Sequence, residues 1–293
     1  MFYAIVVDGM FFKVLEQLRT KPIMIASHRR SGTHLTVDLF RRQFRECRSW
    51  KFPGERNDRL YVNLDMVLDR NKELPPSVAC KILRRTAKAL LKTHRIPSSN
   101  NKDTLQSFAQ KDLSQLFEKA DIVYVYRDGR EVMSSYHQYR KGFDPKARCS
   151  LAEFMRQDDS GVSRVKFWAN HVQSWLSLSG VITLKYDEVI NNTQATLRRL
   201  GSAFQMEPLY LQPLLPKPLE NQTASRCSRL FRIRPESTAI LAPGEKENWR
   251  VAFTLSDRQF FHDEAGTLLI ELGYESSSGW VTEQECSPHD HQA

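Results

Sequence analysis

The segment from Lys21 to Phe44, KPIMIASHRRSGTHLTVDLFRRQF, constrains the fold more than any other part of the chain. It opens on a short apolar run, Ile23-Met24-Ile25-Ala26, of a length suited to a buried strand. A tight polar loop follows from Ser27 to Thr33, with a single glycine, Gly32. Leu35, Leu39, Phe40 and Phe44 then recur at helical spacing. Strand, loop and helix in that order build an anion cradle. The N–H groups that open a helix lack partners inside it, and the helix dipole adds positive potential there. Arg29 and Arg30 add two full charges, Gly32 lets backbone approach a ligand closely, and Ser31 and Thr33 offer hydroxyls. These features predict a site for a phosphate or sulfate group. The segment is not a Walker sequence, because it lacks that motif's first glycine and its Gly-Lys pair. A basic, exposed strand-to-helix turn is the alternative it leaves open.

The 293 residues suit one large α/β domain or two small ones. A hydrophobic share of 41% supports a sizeable core. The net charge of +9 favours anionic partners: nucleotides, sulfated or phosphorylated small molecules, nucleic acid or acidic membrane. It does not choose among them. Cys47, Cys80, Cys149, Cys227 and Cys286 are widely spaced and show no zinc-binding pattern, so free thiols in a reducing compartment are expected. No apolar run approaches the roughly 20 residues of a membrane span. The leading MFYAIVVDGMFF is broken by Asp8 and Gly9 and has no basic residues before it, which makes a poor signal peptide. The expected location is cytoplasmic.

Two further segments carry chemistry. Ala89-Leu90-Leu91 reads as a buried strand with Lys92, Thr93 and His94 at its C-terminal end. Ligands of open α/β sheets bind beyond the carboxyl ends of the strands, and His94 can take a proton near neutral pH. A surface histidine at a strand end fits the same pattern. Ile122 to Tyr126 is a second strand, followed by Arg127, by Asp128 as a helix cap, and by Ser135 on the helix. Arg127 and Ser135 can grip one phosphate from two sides, the Arg by its planar fork. An Arg paired with Asp128 or Glu131 on a solvated face is the alternative. Residues 46–80 show turns at Pro53-Gly54 and Pro75-Pro76 and no chemistry. Residues 140–162 read as a loop with an amphipathic part. The helix from Ser163 presents Val165, Trp168, Val172 and Trp175 as a packing stripe, with His171 exposed or structural. A strand at Val181 to Leu184 ends at Tyr186, and Asn192 or Thr193 caps the next helix. Residues 208–247 are loop-like, and Gly273 ends the last helix.

Taken in register, these segments resemble the soluble sulfotransferases, which use 3′-phosphoadenosine 5′-phosphosulfate (PAPS) as sulfuryl donor. Ser27 through Leu35 resembles the family's first motif, with Arg30 where Lys is usual. Lys92-Thr93-His94-Arg95-Ile96-Pro97 is similar to its Lys-Thr-His-Leu-Pro segment, and Tyr126 through Tyr136 to its 3′-phosphate motif. Trp168 through Trp175 resembles its Trp-x-x-His-Val-x-x-Trp helix, Tyr186-Asp187-Glu188 its Tyr-Glu-Asp, and Gly244 through Trp249 its late Gly-x-x-x-x-Trp segment. The resemblance implies a single α/β domain over residues 1–274, with a central, mainly parallel sheet flanked by helices and a P-loop-like phosphate-binding loop. A polar, disordered tail over 275–293 follows. It further implies in-line sulfuryl transfer to a hydroxyl or amine. The catalytic group is then His94 as general base with Lys92 and Arg30 on the reacting oxygens. Arg29, Arg30, Ser31, Gly32, Thr33, His34, Arg127, Ser135, Tyr186 and Gly244 bind PAPS, and no metal is needed. Expected partners are a small-molecule, saccharide or lipid acceptor, with no nucleic acid and no membrane span. A homodimer is compatible with this reading, although the family's short dimerisation motif has no clear match.

The sequence departs from the family in two places. Ala242-Pro243 replace the usual Arg-Lys before the late glycine, which leaves Arg229, Arg232 or Arg234 to reach the 3′-phosphate. Leu35 replaces the Trp that usually stacks on adenine, which leaves Phe231 as the aromatic candidate. The competing functional readings are an ATP-dependent P-loop-like phosphotransferase and a non-catalytic, basic nucleic-acid-binding protein.

Overall fold

Short runs rich in aliphatic and aromatic residues pair into one parallel sheet. The computed structural model describes residues 11–49, 59–68, 74–97, 116–210 and 249–282. Its strands are β1 (Ile23–Ser27), β2 (Val62–Asn63), β3 (Leu90–Thr93), β4 (Asp121–Tyr126), the small antiparallel pair β5 (Asp158–Asp159) and β6 (Val162–Ser163), and β7 (Val181–Lys185). The order across the main sheet is β2-β3-β1-β4-β7, and every neighbouring pair is parallel. β1 is central and buried at every position, as its unbroken apolar run requires of a parallel strand covered on both faces. Ala26 pairs with Thr93, and Ser27 with Val125. The carboxyl ends of β3, β1 and β4 therefore share one edge.

The helices are α1 (Thr33–Gln43), α2 (Leu64–Val67), α3 (Pro76–Leu83), α4 (Gly129–Lys141), α5 (Leu151–Arg156), α6 (Arg164–Leu176), α7 (Tyr186–Asn191), α8 (Thr193–Phe204), α9 (Trp249–Ala252) and α10 (Leu255–Glu271). None of the described helices is long and apolar enough to cross a membrane. The chain groups into two compact units, Met1–Arg127 with Ser174–Gly244, and Asp128–Gln173 with Glu245–Ala293.

The first unit holds the main sheet. Its core joins Ile23 and Ile25 of β1, Leu35, Leu39 and Phe40 of α1, Val123 and Val125 of β4, and Leu197 and Leu200 of α8. Each such side chain contributes about 1.5–3 kcal/mol on full burial. One face of α1 carries a buried ion pair. Arg41 donates from Nη1 to Asp38 Oδ1 at 3.0 Å, from Nε to Ser49 Oγ at 3.1 Å and from Nη2 to the Ser49 carbonyl at 3.0 Å. Neither charged side chain is accessible. Cys47 and Cys80 are buried free thiols, and burial pushes the Cys47 thiol up to about 12.

The second unit is organised by caps and by one arginine. Asp128 accepts the Arg130 N–H and caps α4, while capping boxes at Ser150/Glu153 and Thr254/Asp257 start α5 and α10. Gly129 lets α4 begin flush against the Trp168 indole, where a Cβ would come within 2.6 Å. The Arg130 guanidinium lies 3.9 Å from the Trp249 ring centre and 4.7 Å from that of Trp280. It also pairs with Asp128 and Glu275. The Asp128 carboxylate takes both Nε and Nη2 of Arg130.

Two sequence-based expectations need correction here. Packed chain continues past residue 274: Trp280 and Val281 are buried, because Trp280 helps to enclose the Arg130 charge. Residues 283–293 lie outside the described residues. Residues 140–162, read as a loop with an amphipathic part, hold α5 and the β5–β6 hairpin, the hairpin being the element not foreseen. Ser160 (φ +62°) and Gly161 (φ +89°) supply the two left-handed residues of a tight hairpin turn. His171 is fully buried, which settles its alternative as structural. Asn192 occupies the N-cap of α8 without a side-chain cap bond.

Removing one member of the buried pair takes an ion-pair partner from the other buried charge. Arg41→Ala is expected to cost about 3–5 kcal/mol, read as a lowered denaturant midpoint. The double variant Asp38→Leu/Arg41→Met is expected to recover most of that loss. A single variant as stable as the parent would contradict this account.

Candidate active site

The turn between β1 and α1 is held in an uncommon conformation. Arg30 has φ +69° and Gly32 has φ +105°, both left-handed. A non-glycine residue there costs about 1–3 kcal/mol, and such strain concentrates at ligand clamps. Left-handed residues in a tight turn bring successive N–H groups to one side, the geometry of an anion nest. The base of the loop is closed by a hydrogen bond between the Ser27 and Thr33 hydroxyls. Thr36 Oγ1 donates to the Gly32 carbonyl at 3.1 Å. The Ser31 hydroxyl is buried and has no hydrogen-bond partner among the described residues, and a buried polar atom of that kind fits a loop that meets a ligand. Arg29 is exposed, Arg30 half-buried. Leu35 points into the core and belongs to its buried cluster.

The end of β3 lies beside this loop because β1 and β3 are parallel neighbours. His94 Nδ1 is 2.8 Å from the Ser27 carbonyl oxygen. That oxygen can only accept, so Nδ1 carries the hydrogen and the lone pair of the neutral ring is on Nε2. Burial, then the Lys92 and Arg29 charges, push the His94 pKa well below the ordinary imidazole value, while the Ser27 hydrogen bond opposes them. Lys92 is buried, its Nζ 3.4 Å from His34 Nε2 and 5.9 Å from the Tyr61 ring centre. His34 meets the same ring edge-on at 5.8 Å.

Asp65, on α2, was passed over in the sequence because residues 46–80 carry no motif. Its Oδ2 accepts the His94 backbone N–H at 3.0 Å, and its Oδ1 the Thr93 hydroxyl at 2.8 Å. Trp175 was read as a core residue, and it is one, stacked on Tyr124 at 5.5 Å. It also donates from Nε1 to the Arg95 carbonyl at 3.0 Å.

Tyr186 ties two candidate segments together. A Cβ on Gly32 would fall 2.6 Å from Tyr186 Cδ2. The Arg127 guanidinium lies 4.4 Å from the centre of the same ring. The first unit thus gathers the loop from Ser27 to His34 with Lys92, His94, Arg127 and Tyr186. Ser135 is on α4 of the second unit. Gly244, Ala242-Pro243, Phe231 and the arginines at 229, 232 and 234 lie outside the described residues.

Residues 20–269 match the family model described as the sulfotransferase domain. A search of curated proteins finds no match. Among solved structures, the chain is similar to retinol dehydratase in complex with androsterone and the inactive cofactor PAP. That match has 17% identity and a TM-score of 0.51, covering 89% of this chain and 85% of the other. Mouse sulfotransferase SULT7A1 complexed with PAP matches at 15% identity and TM-score 0.49, covering 89% and 91%. A sulfotransferase from Alicyclobacillus acidocaldarius matches at 12% identity and TM-score 0.44, covering 89% and 99%. At such identities the likeness is one of fold.

Two outcomes test this geometry. In an NMR titration, His94 should stay in the neutral Nδ1–H form to well below pH 6.5. The unfolded chain then binds the proton first, so His94 withdraws stability as pH falls from about 6.5 toward its folded midpoint. A midpoint at or above 6.5 would refute the placement. Gly32→Ala should lower stability by about 1–3 kcal/mol through its forced φ, plus a clash term. Removing the ring in Gly32→Ala/Tyr186→Ala should make the two changes cost less than their sum.

Proposed function

The chain belongs to the sulfotransferase-domain family, and on that premise we propose that it moves a sulfuryl group from PAPS to a hydroxyl or amine of an acceptor, with His94 as general base. The observation that carries the reading is the His94 ring. Its Nδ1 is committed to the Ser27 carbonyl, its pKa is depressed, and its strand end adjoins the anion nest. A neutral imidazole with an Nε2 lone pair is what a base acting near neutral pH must be. The acceptor's proton passes to Nε2 as its oxygen or nitrogen forms the new bond to sulfur. The bond from sulfur to the 5′-phosphate breaks, and its electron pair leaves with that phosphate.

Positioning and charge do the remaining work, as in phosphoryl transfer. Arg30 and the loop N–H groups offset the charge gathering on the leaving phosphate. Lys92 serves the sulfuryl oxygens, and Ser31, Thr33 and His34 complete the cradle. Arg127 takes the 3′-phosphate, with Tyr186 bracing it. The choice of PAPS as donor is supported by the retinol dehydratase structure, whose description names the inactive cofactor PAP. The same description names androsterone, which supports a small-molecule acceptor for this chain.

Calorimetric titration with 3′-phosphoadenosine 5′-phosphate beside ADP tests the donor. Micromolar binding of the first and much weaker binding of the second is expected. Equal binding of ADP would favour a phosphotransferase, and binding of neither a non-catalytic relative. His94→Ala should lower turnover by about 10²–10⁴-fold while keeping nucleotide affinity, and unchanged turnover would remove His94 from the role of base.

A further inference from the structure

One carboxylate from outside the strand meets all three residues of the segment Thr93-His94-Arg95. Asp65 Oδ1 accepts from the Thr93 hydroxyl at 2.8 Å, and both of its oxygens face the His94 backbone N–H, at 3.0 and 3.2 Å. The Arg95 guanidinium is 3.7 Å away and balances the charge. The Arg95 N–H donates to Thr93 Oγ1 at 3.1 Å, so that hydroxyl accepts on one side and gives its only hydrogen to Asp65 on the other. Asp65 is itself placed by a cap, since Asn63 Oδ1 accepts its N–H at 3.2 Å. β3 ends at Thr93, so the His94 N–H is the first without a strand partner. A two-oxygen acceptor replaces the missing strand at the point where the imidazole is anchored.

We propose that Asp65 is the positioning residue of the active site: it fixes the His94 backbone so that the Nδ1 bond to Ser27 can form and Nε2 is presented as the base. The proposal rests on the sulfotransferase reading for its kinetic consequence, though not for its structural one. Among the described residues the Asp65 carboxylate meets the segment's N–H, hydroxyl and guanidinium groups. Its role therefore differs from that of the nest residues, which hold the anion directly. Neutralising or removing it should disturb proton transfer and leave nucleotide binding in place.

The full-length protein carries the test, with Asp65→Ala and the near-isosteric Asp65→Asn as variants. Loss of the His94 anchor should reduce kcat on the order of 10- to 100-fold in Asp65→Ala, with affinity for 3′-phosphoadenosine 5′-phosphate within about threefold of the parent. Asp65→Asn keeps one carbonyl acceptor and should recover part of the rate. ¹⁵N NMR of the histidine ring supplies a readout that needs no substrate. The parent should show the Nδ1–H tautomer of His94, and the variants a mixture. Parental kcat in Asp65→Ala, an unaltered tautomer, or nucleotide affinity falling in step with kcat would each overturn the proposal. If Asp65→Ala does not fold, Asp65→Asn decides by the same two readouts. If the parent does not turn over PAPS, the reaction reading falls, and the tautomer measurement alone decides the role of Asp65.

Discussion

The hydrogen bond from His94 Nδ1 to the Ser27 carbonyl joins the ends of two strands 67 residues apart in sequence. It can form only because β1 and β3 are parallel neighbours in register, Ala26 beside Thr93. Shift that register by one residue and every side chain of β3 changes face. A bond of this kind is worth only about 1 kcal/mol net, too little to hold two loops together unaided. The sheet supplies the holding. What the bond supplies is a choice of tautomer, with the hydrogen on Nδ1 and the lone pair on Nε2. Tyr186 performs a parallel task on the other flank of β1, where its ring packs on Gly32 and on the Arg127 guanidinium.

How much of this was legible in the sequence depends on the range of the interaction. The strand, loop and helix of residues 21–44 were readable because an apolar run, one glycine and a helical repeat are local signals. The placement of Lys92 and His94 beside the loop followed from a general rule about strand ends, given parallel pairing. The packing of Tyr186 on Gly32 was not readable, because the two residues are far apart in sequence and nothing in either neighbourhood announces the other. Asp65 was invisible for a related reason. An aspartate in a short helix is an ordinary surface residue until the fold brings the end of β3 to it. Arg130 carries no local signal of burial, yet it is buried between Trp249 and Trp280, and packed chain extends beyond residue 274. The Ser160-Gly161 turn did carry a local signal, a polar residue and a glycine between short extended runs.

The departures from the usual family pattern also acquire physical content. Leu35 sits in the core cluster of the first unit, among Leu39, Phe40 and the strand residues. A side chain used that way cannot also stack on a base, so on the proposed reading base packing comes from elsewhere in the chain. Arg30 replaces a lysine with a planar fork, and it does so from a left-handed backbone. A fork can meet two oxygens of one anion where a lysine offers a point charge. On the proposed reading, the conformational strain falls at the residue best able to return it in ligand contacts.

The cations of the site act on His94 as well as on any anion. After burial, Lys92 and Arg29 are the main influences that hold the imidazole neutral. A base kept neutral in this way is ready at ordinary pH, but it is also a weak one, since a low pKa means a low affinity for the proton it must take. An anion bound among the same cations offsets part of their repulsion, and the His94 pKa then rises toward its ordinary value. On the proposed reading, donor binding therefore strengthens the base at the moment it is needed. On that reading, the charges that meet the phosphates are those that lower the His94 pKa when the site holds no anion. This coupling requires only that Lys92 and Arg29 face both groups, and the shared edge of β1 and β3 brings the residues that carry them together.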